Sequence, residues 1–336
     1  MYTIGAEHSG KALQPLRCCF PDHLQKKREE NSVKYLETGR LILRAWQEDD
    51  AEELYRHAQC PDVGPIAGWP PHQSVEESLS VIRHVLCAEA CFAICLKPEN
   101  RPIGAVELKL NGHTDLTERD DECELGYWLA KPFWGQGIMP EAASELIRYG
   151  FEDLGMRRIW CGYYEGNTKS KRVQEKLGFR YQWTTKEVDV PLMHEKRTGH
   201  VSSLTKDAWI WKRMYEAAAA VRRSRSVSDY VEAGGVAAAV LSSSGKIYTG
   251  VCVDTCSTLG ICAERSAIFS MLTAGENRME RVVTIMSTGK CGVPCGACRE
   301  LMVQLMPKDY REIEIMMDME SGRTVKLGEL TPQWWI

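Results

Sequence analysis

Three cysteines placed at two helix starts constrain this chain more than any other feature of its sequence. In GICAERSAIF, Gly260 to Phe269, Cys262 stands two places before Glu264; in VPCGACRELM, Cys295 and Cys298 form a Cys-x-x-Cys pair behind Pro294. A helix N-terminus favours the thiolate, the form of cysteine that binds metal. Three thiolates give Zn²⁺ three protein ligands and leave the fourth position for water, the design of a catalytic site rather than a closed one. Glu264, beside such a metal, is placed to carry protons to and from that water. No histidine follows His200, so this half of the chain has only thiols and carboxylates to offer a metal. Two other readings use the same residues. A closed four-cysteine zinc site could draw in Cys291, or Cys252 and Cys256, and a Cys-x-x-Cys pair can serve redox chemistry. The proline before the pair and the glutamate after Cys262 favour the open, catalytic site.

A length of 336 residues argues for two domains. With 44% apolar and 26% charged residues and a net charge of −4, the composition is that of an ordinary globular protein. No apolar run approaches the roughly 20 residues of a membrane span, and the start lacks a secretory pattern. The fourteen cysteines therefore read mostly as free thiols in a cytoplasmic protein. Residues 213–336 hold fourteen basic and fourteen acidic residues. Neither half is the basic body that grips a phosphate backbone, which argues against nucleic acid as a partner. The knot RRSRS, Arg222 to Ser226, reads as a solvated helix face.

Residues 1–36 show no sustained period and read as an N-terminal extension. Residues 37–212 form a first domain, with a strand around Leu41–Leu43 and an acidic-started helix in QEDDAEELYRHA. A hairpin follows in CFAICLKPENRPIGAVELKL, a strand in ECELGYWLA and a helix from MPEAASEL on. RRIWCGYY reads as a strand, NTKSKRVQEKLG as a short helix stopped by Gly178, and FRYQWTTKEV as a strand. Residues 213–336 form a second domain of alternating strands and helices, the pattern of a sheet with helices packed on it.

The second domain, through Cys-Ala-Glu followed by Pro-Cys-Gly-Ala-Cys-Arg, resembles the zinc-dependent cytidine deaminases in their three-cysteine form. The resemblance implies a three-layer αβα fold, Cys262, Cys295 and Cys298 as zinc ligands and Glu264 as acid and base. Arg265 and Arg299 would offset the charge of the thiolates, and the Ala263 N–H would face the base. In this family a metal-activated water attacks C4 of the pyrimidine and ammonia leaves. Where nucleoside enzymes carry Asn-x-Glu to hold the ribose, this chain offers Cys252 and Asp254. The run from Ser228 through VAAAVLSSSGKIYTGV is more similar to blasticidin S deaminase. Trp334 and Trp335 could close the pocket, or pack in the core. Lys290 could meet an anionic group, or be solvated. A homo-oligomer through this domain is the family habit.

The first domain, through ECELGYWL, WGQGIMPEA and NTKSKRVQEKLGFRY, resembles the GNAT N-acetyltransferases of the ribosomal-protein and drug-acetylating branch. The resemblance implies a mixed-sheet α/β fold that binds acetyl-CoA. Its pyrophosphate would rest on the backbone of Gln136, Gly137, Ile138 and Met139, with Asn167 and Ser170 helping to hold it and the pantetheine beside Leu125 to Trp128. Glu124 is the candidate base, its alternative a strand-edge surface carboxylate. Gln174 stands where many members carry an acidic tyrosine, and His113 falls in a loop. The whole reads as a bifunctional enzyme, an acetyltransferase joined to a hydrolytic deaminase of a cytosine nucleoside or nucleoside antibiotic. The alternatives are one inactive domain serving as a ligand-binding or oligomerisation module, or acetylation of a ribosomal protein N-terminus unrelated to the deaminase.

Overall fold

A computed structural model describes residues 35–335. It divides into two compact units, one ending at Lys206 and the other beginning at Asp207. Most of the expected N-terminal extension, residues 1–34, lies outside the described residues; its last two residues enter the first strand.

The first unit runs β1 (Tyr35–Glu37), β2 (Leu41–Arg44), α1 (Ala51–Ala58), α2 (Gly64–Ala67), α3 (Val75–His84), β3 (Cys91–Leu96), β4 (Pro102–Lys109) and β5 (Glu122–Leu129). It continues with α4 (Ile138–Arg148), β6 (Arg158–Tyr164), α5 (Thr168–Leu177), β7 (Arg180–Val190) and β8 (Glu195–Thr205). The strands form one sheet in the order β1-β2-β3-β4-β5-β6-β8-β7. β5 and β6 pair in parallel, while the other neighbours run antiparallel. Leu54 and Ala58 of α1 and Ile82 of α3 pack on Ala93, Ala105 and Trp128 of the sheet. The expected strands and the stop of α5 at Gly178, in the left-handed region at φ 91°, are present. Two elements were hidden by polar sequence. α3 is started by Ser74, whose side chain accepts the Glu77 N–H, and β8 is rich in charged and hydroxyl residues yet pairs between β6 and β7, with Val201 to Leu204 buried.

The second unit runs α6 (Lys206–Val221, its first residue lying across the border), β9 (Arg225–Ser228), β10 (Val231–Ser242), β11 (Ile247–Thr255) and α7 (Ala263–Thr273). It ends with β12 (Met279–Ile285), α8 (Gly296–Leu305), β13 (Glu314–Asp318), β14 (Arg323–Lys326) and α9 (Leu327–Leu330). Its sheet has the order β11-β10-β12-β13-β14, with β9 on β10. The alternation along β10 serves two cores. Ala237, Ala239 and Leu241 face Trp211, Met214 and Ala218 of α6. Ala238 and Val240 face Ala267 and Ile268 of α7 and Met302 and Val303 of α8. The result is helix on sheet on helix. Trp211 belongs to this core, so the units divide six residues earlier than the sequence border at 212/213.

Candidate active sites

The cysteine centre is assembled from two helix starts in the second unit. Cys262 is the N-cap of α7 and Cys295 the N-cap of α8. The Cys262 and Cys295 sulfurs lie 3.4 Å apart, those of Cys295 and Cys298 3.5 Å, and all three Sγ atoms fall within 4.8 Å of one another. A tetrahedral zinc with Zn–S bonds of about 2.3 Å would space its sulfurs about 3.8 Å apart, so the triangle fits the ion. Among the described residues no other cysteine joins the group; Cys291, Cys252 and Cys256 are apart from it. Burial raises the Cys298 thiol, and the neighbouring Glu264 carboxylate adds to the rise. Burial also works against the Cys295 thiolate, but the Cys298 and Ala297 amides and the neighbouring thiols outweigh it and hold that thiol below its usual range. A divalent cation deprotonates such thiols outright.

Glu264 sits one helical position past Ala263 and is 4% exposed. Its Oε1 accepts from the Thr284 hydroxyl at 3.1 Å, and its Oε2 lies 3.6 Å from the Cys298 sulfur. One oxygen is thus anchored to β12 and the other faces the thiols. Arg265 lies beside the Cys262 thiol, as the resemblance implies. Arg299 does not: its Nε donates to the Pro294 carbonyl at 2.8 Å and its Nη1 to the Leu330 carbonyl at 3.1 Å. It braces the loop before Cys295 instead of facing the sulfurs.

The expected substrate residues part company. Ala263 is fully buried at the start of α7. Cys252 packs in the core, its sulfur accepting the Val236 N–H at 3.2 Å and lying 3.4 Å from Asp254 Oδ2. Asp254 is exposed on β11. Lys290 is exposed in the turn after β12, which closes with the Met286 N–H on the Lys290 carbonyl. Trp334 packs against the core and Trp335 is 74% exposed; both indole N–H groups donate to Glu300 of α8.

In the first unit the parallel register of β5 and β6 runs from Glu122–Arg158 to Glu124–Trp160 and stops. Beyond it the strands separate into a cleft walled by Leu125, Gly126 and Tyr127 on one side and Cys161 to Tyr164 on the other. Asn167 and Ser170 line the cleft, as do Ile66, Ala67, Lys109 and Glu124. Gly137, at φ 75°, is the N-cap of α4 and offers no side chain, so the amides of the first turn, Ile138 and Met139 among them, have no side-chain cap. Gly135, at φ 78°, has nothing within 4 Å of where a Cβ would stand. A bare helix start with open space before it suits a pyrophosphate.

Asn167 caps α5 by accepting the Ser170 N–H at 3.1 Å. The Ser170 hydroxyl is engaged by the Tyr127 hydroxyl at 2.9 Å and by the Gln174 amide at 3.2 Å. Gln174 stands where the resemblance implies a tyrosine, and Tyr127 of β5 meets it at the Ser170 hydroxyl. Shared facing was the available signal, since Tyr127 alternates with Leu125 on the wall already assigned to the cofactor. Glu124 is no strand-edge carboxylate, because β5 lies between β4 and β6. It is 5% exposed, paired with Lys109 at 3.1 Å and accepting the Thr114 hydroxyl at 2.7 Å. Nearby, Glu107 Oε1 and the Tyr164 hydroxyl are buried without a hydrogen-bond partner.

Family comparison agrees with this division. Residues 40–180 match the acetyltransferase (GNAT) domain, and residues 209–311 match the cytidine and deoxycytidylate deaminase zinc-binding region. The chain is similar to the uncharacterized N-acetyltransferase p20 of Bacillus licheniformis, 29% identical over 153 residues, or 44% of this chain and 83% of that one. It is also similar to a cytidine deaminase of Halalkalibacterium halodurans, 35% identical over 77 residues, or 23% of this chain and 58% of that one. A solved GNAT acetyltransferase from Bacillus anthracis covers 51% of this chain and 98% of its own at 22% identity, with a TM-score of 0.45. The chain therefore carries two enzymatic domains in tandem, a GNAT acetyltransferase domain that uses acetyl-CoA and a cytidine and deoxycytidylate deaminase zinc-binding domain with a three-cysteine cluster.

Proposed function

We propose that the deaminase unit hydrolyses the exocyclic amine of a cytosine nucleoside or related nucleoside antibiotic, and that the acetyltransferase unit acylates an amine of the same class of compound. The observation that carries the first part is Glu264, buried, held by Thr284 and aimed at three thiols suited to zinc. Zinc, when bound, supplies Lewis acidity that makes a nucleophile from water near neutral pH. Cys262, Cys295 and Cys298 would hold it. The Glu264 oxygen that faces the thiols carries the first proton of the attacking water to the ring nitrogen, and then the second, from the new C4 hydroxyl, to the amine, which leaves as ammonia. The Ala263 N–H orients the base. With Cys252 committed to the core, Asp254 is the group left on β11 to meet a sugar hydroxyl. Lys290 and Trp334 are the remaining candidate contacts.

In the acetyltransferase unit the Gln136 to Met139 backbone takes the pyrophosphate of acetyl-CoA, and Asn167 and Ser170 lie along its arm. The acceptor amine enters beside Ile66 and Ala67, between Glu124 and the unpartnered Tyr164 hydroxyl. Glu124 receives its proton, and the Tyr127 hydroxyl, backed by Ser170, protonates the departing thiolate.

The direct test is ammonia release from cytidine, deoxycytidine and blasticidin S, with Glu264→Ala alongside. One zinc per chain is expected, lost when Cys262, Cys295 and Cys298 are replaced together. Turnover is expected to fall 10²–10⁴-fold in the Glu264 variant while zinc stays bound. A chain that binds no zinc, or a Glu264 variant as active as the native chain, would sink the reading. Thiol release from acetyl-CoA across a panel of amines tests the other unit.

A further inference from the structure

The turn between β1 and β2 reaches the first turn of α4, where the acetyl-CoA phosphates are expected. Arg40 is the centre of this contact. Its Nε donates to Glu141 Oε2 at 2.7 Å, its Nη2 pairs with the same oxygen at 2.6 Å, and its Nη1 donates to the Gln136 carbonyl at 3.2 Å. The other Glu141 oxygen accepts from the Thr38 hydroxyl at 2.5 Å and from the Arg40 N–H at 3.1 Å. Arg40 Nη2 also lies 3.7 Å from where a Cβ on Gly137 would stand.

Two consequences follow from elementary geometry and charge. A trans peptide sends its C=O and its N–H in opposite directions. Since the Gln136 carbonyl is held by Arg40, the Gly137 N–H of the same peptide points away from Arg40. The second consequence concerns Glu141. A carboxylate in the first turn of a helix favours the helix dipole but repels any anion placed there. The two-pronged guanidinium cancels that repulsion.

We propose that Arg40 is the positioning residue of the phosphate cradle in the acetyl-CoA site. It fixes the Gln136–Gly137 peptide with its N–H outward and neutralises Glu141, so that an anion can sit at the start of α4. Arg40 is half-exposed, with Nε, Nη1 and Nη2 each engaged, and it acts through the peptide and Glu141 rather than on the acetyl group or the acceptor. This inference rests on the acetyl-CoA reading of the unit.

The test is calorimetric titration of the full chain with acetyl-CoA, which needs no knowledge of the acceptor. Arg40→Met is expected to weaken binding ten- to a hundredfold. Adding Glu141→Gln to that variant is expected to restore at least threefold, because the uncompensated carboxylate is gone; a role limited to packing would show no recovery. Should Arg40→Met fail to fold, Arg40→Lys keeps the charge but cannot serve both Glu141 and the Gln136 carbonyl, and a three- to tenfold loss is expected. Affinity within twofold of the native chain in the folded Met variant, or in the Lys variant where it stands in, overturns the proposal, as does the lack of any recovery in the double variant. A native chain that does not bind acetyl-CoA at all overturns the reading of the unit itself, an outcome distinct from an indifferent Arg40.

Discussion

Lys109 and Glu124 show how far a single pair can decide the chemistry of the acetyltransferase cleft. Both side chains are 7% exposed and lie 3.1 Å apart. Burial works against the lysine's charge, but Glu124 and Glu107 outweigh it and hold the ammonium above its usual range. Lys109→Met should therefore cost about 3–5 kcal/mol, since it strands a buried carboxylate, and a lowered urea midpoint of the first unit's transition would show it. Tyr127→Phe should leave the KM values nearly unchanged and lower kcat of the acetyl transfer about 10²-fold; an unchanged kcat would remove Tyr127 from the mechanism. These residues also mark what a sequence can disclose. Cys262, Glu264, Cys295 and Cys298 were legible because two short motifs fix their local spacing. Lys109 and Thr114 were not, because they meet Glu124 from a neighbouring strand and from a loop. Arg299 misled for a related reason: adjacency to Cys298 in the chain does not say which way a long side chain turns, and here two carbonyls claim it.

At the scale of elements, the β10–β11 hairpin is tied to the chain just past α7 by Glu276. Hydrogen bonds from Ser242, Ser244, Lys246 and Tyr248 hold its carboxyl well below the usual range, at about 2. A depressed folded pKa contributes stability that is present above the unfolded value, near 4.5, and is lost as pH falls toward about 2. Glu276→Gln should therefore lower the thermal midpoint of the second unit at pH 6, with the gap to the native chain closing as pH falls from about 4.5 to about 2. A gap that stays constant with pH would show that the charge of Glu276 plays no part. A glycine stop made a helix readable from the sequence even where the apolar period is sparse, as α5 and Gly178 show. β8 was not, because its burial comes from neighbours on both sides rather than from an apolar pattern of its own. The failure at Cys252 is the same in kind: the position aligned with a sugar-binding residue, while its sulfur is occupied by the Val236 amide.

The molecule as a whole is two units with separate cores, one ending at Lys206 and the next beginning at Asp207. None of its helices is long and apolar enough to cross a membrane, among the described residues. Separate cores predict separate melting transitions. Because a structural contribution from metal binding adds to the stability of the unit that holds it, a chelator should lower the midpoint of the second unit and leave that of the first within about a degree. Calorimetry with and without chelator reads both at once, and a shift shared equally by both transitions would count against independent units. Residue pattern foretold the two-unit plan, but it set the border at 212/213, because the linking helix α6 looks alike on both sides of it. Only the packing of Trp211 and Met214 assigns that helix.

The starts of α4, α7 and α8 share one property. Gly137, Cys262 and Cys295 all occupy N-cap positions; Gly137 has no side chain to offer its helix, and the two cysteines offer only sulfur. In each case a ligand is expected at the helix start, phosphate at one and, through the thiolates, metal at the other two. Amide exchange in their first turns, more than any change in shape, should report whether the protein has been loaded.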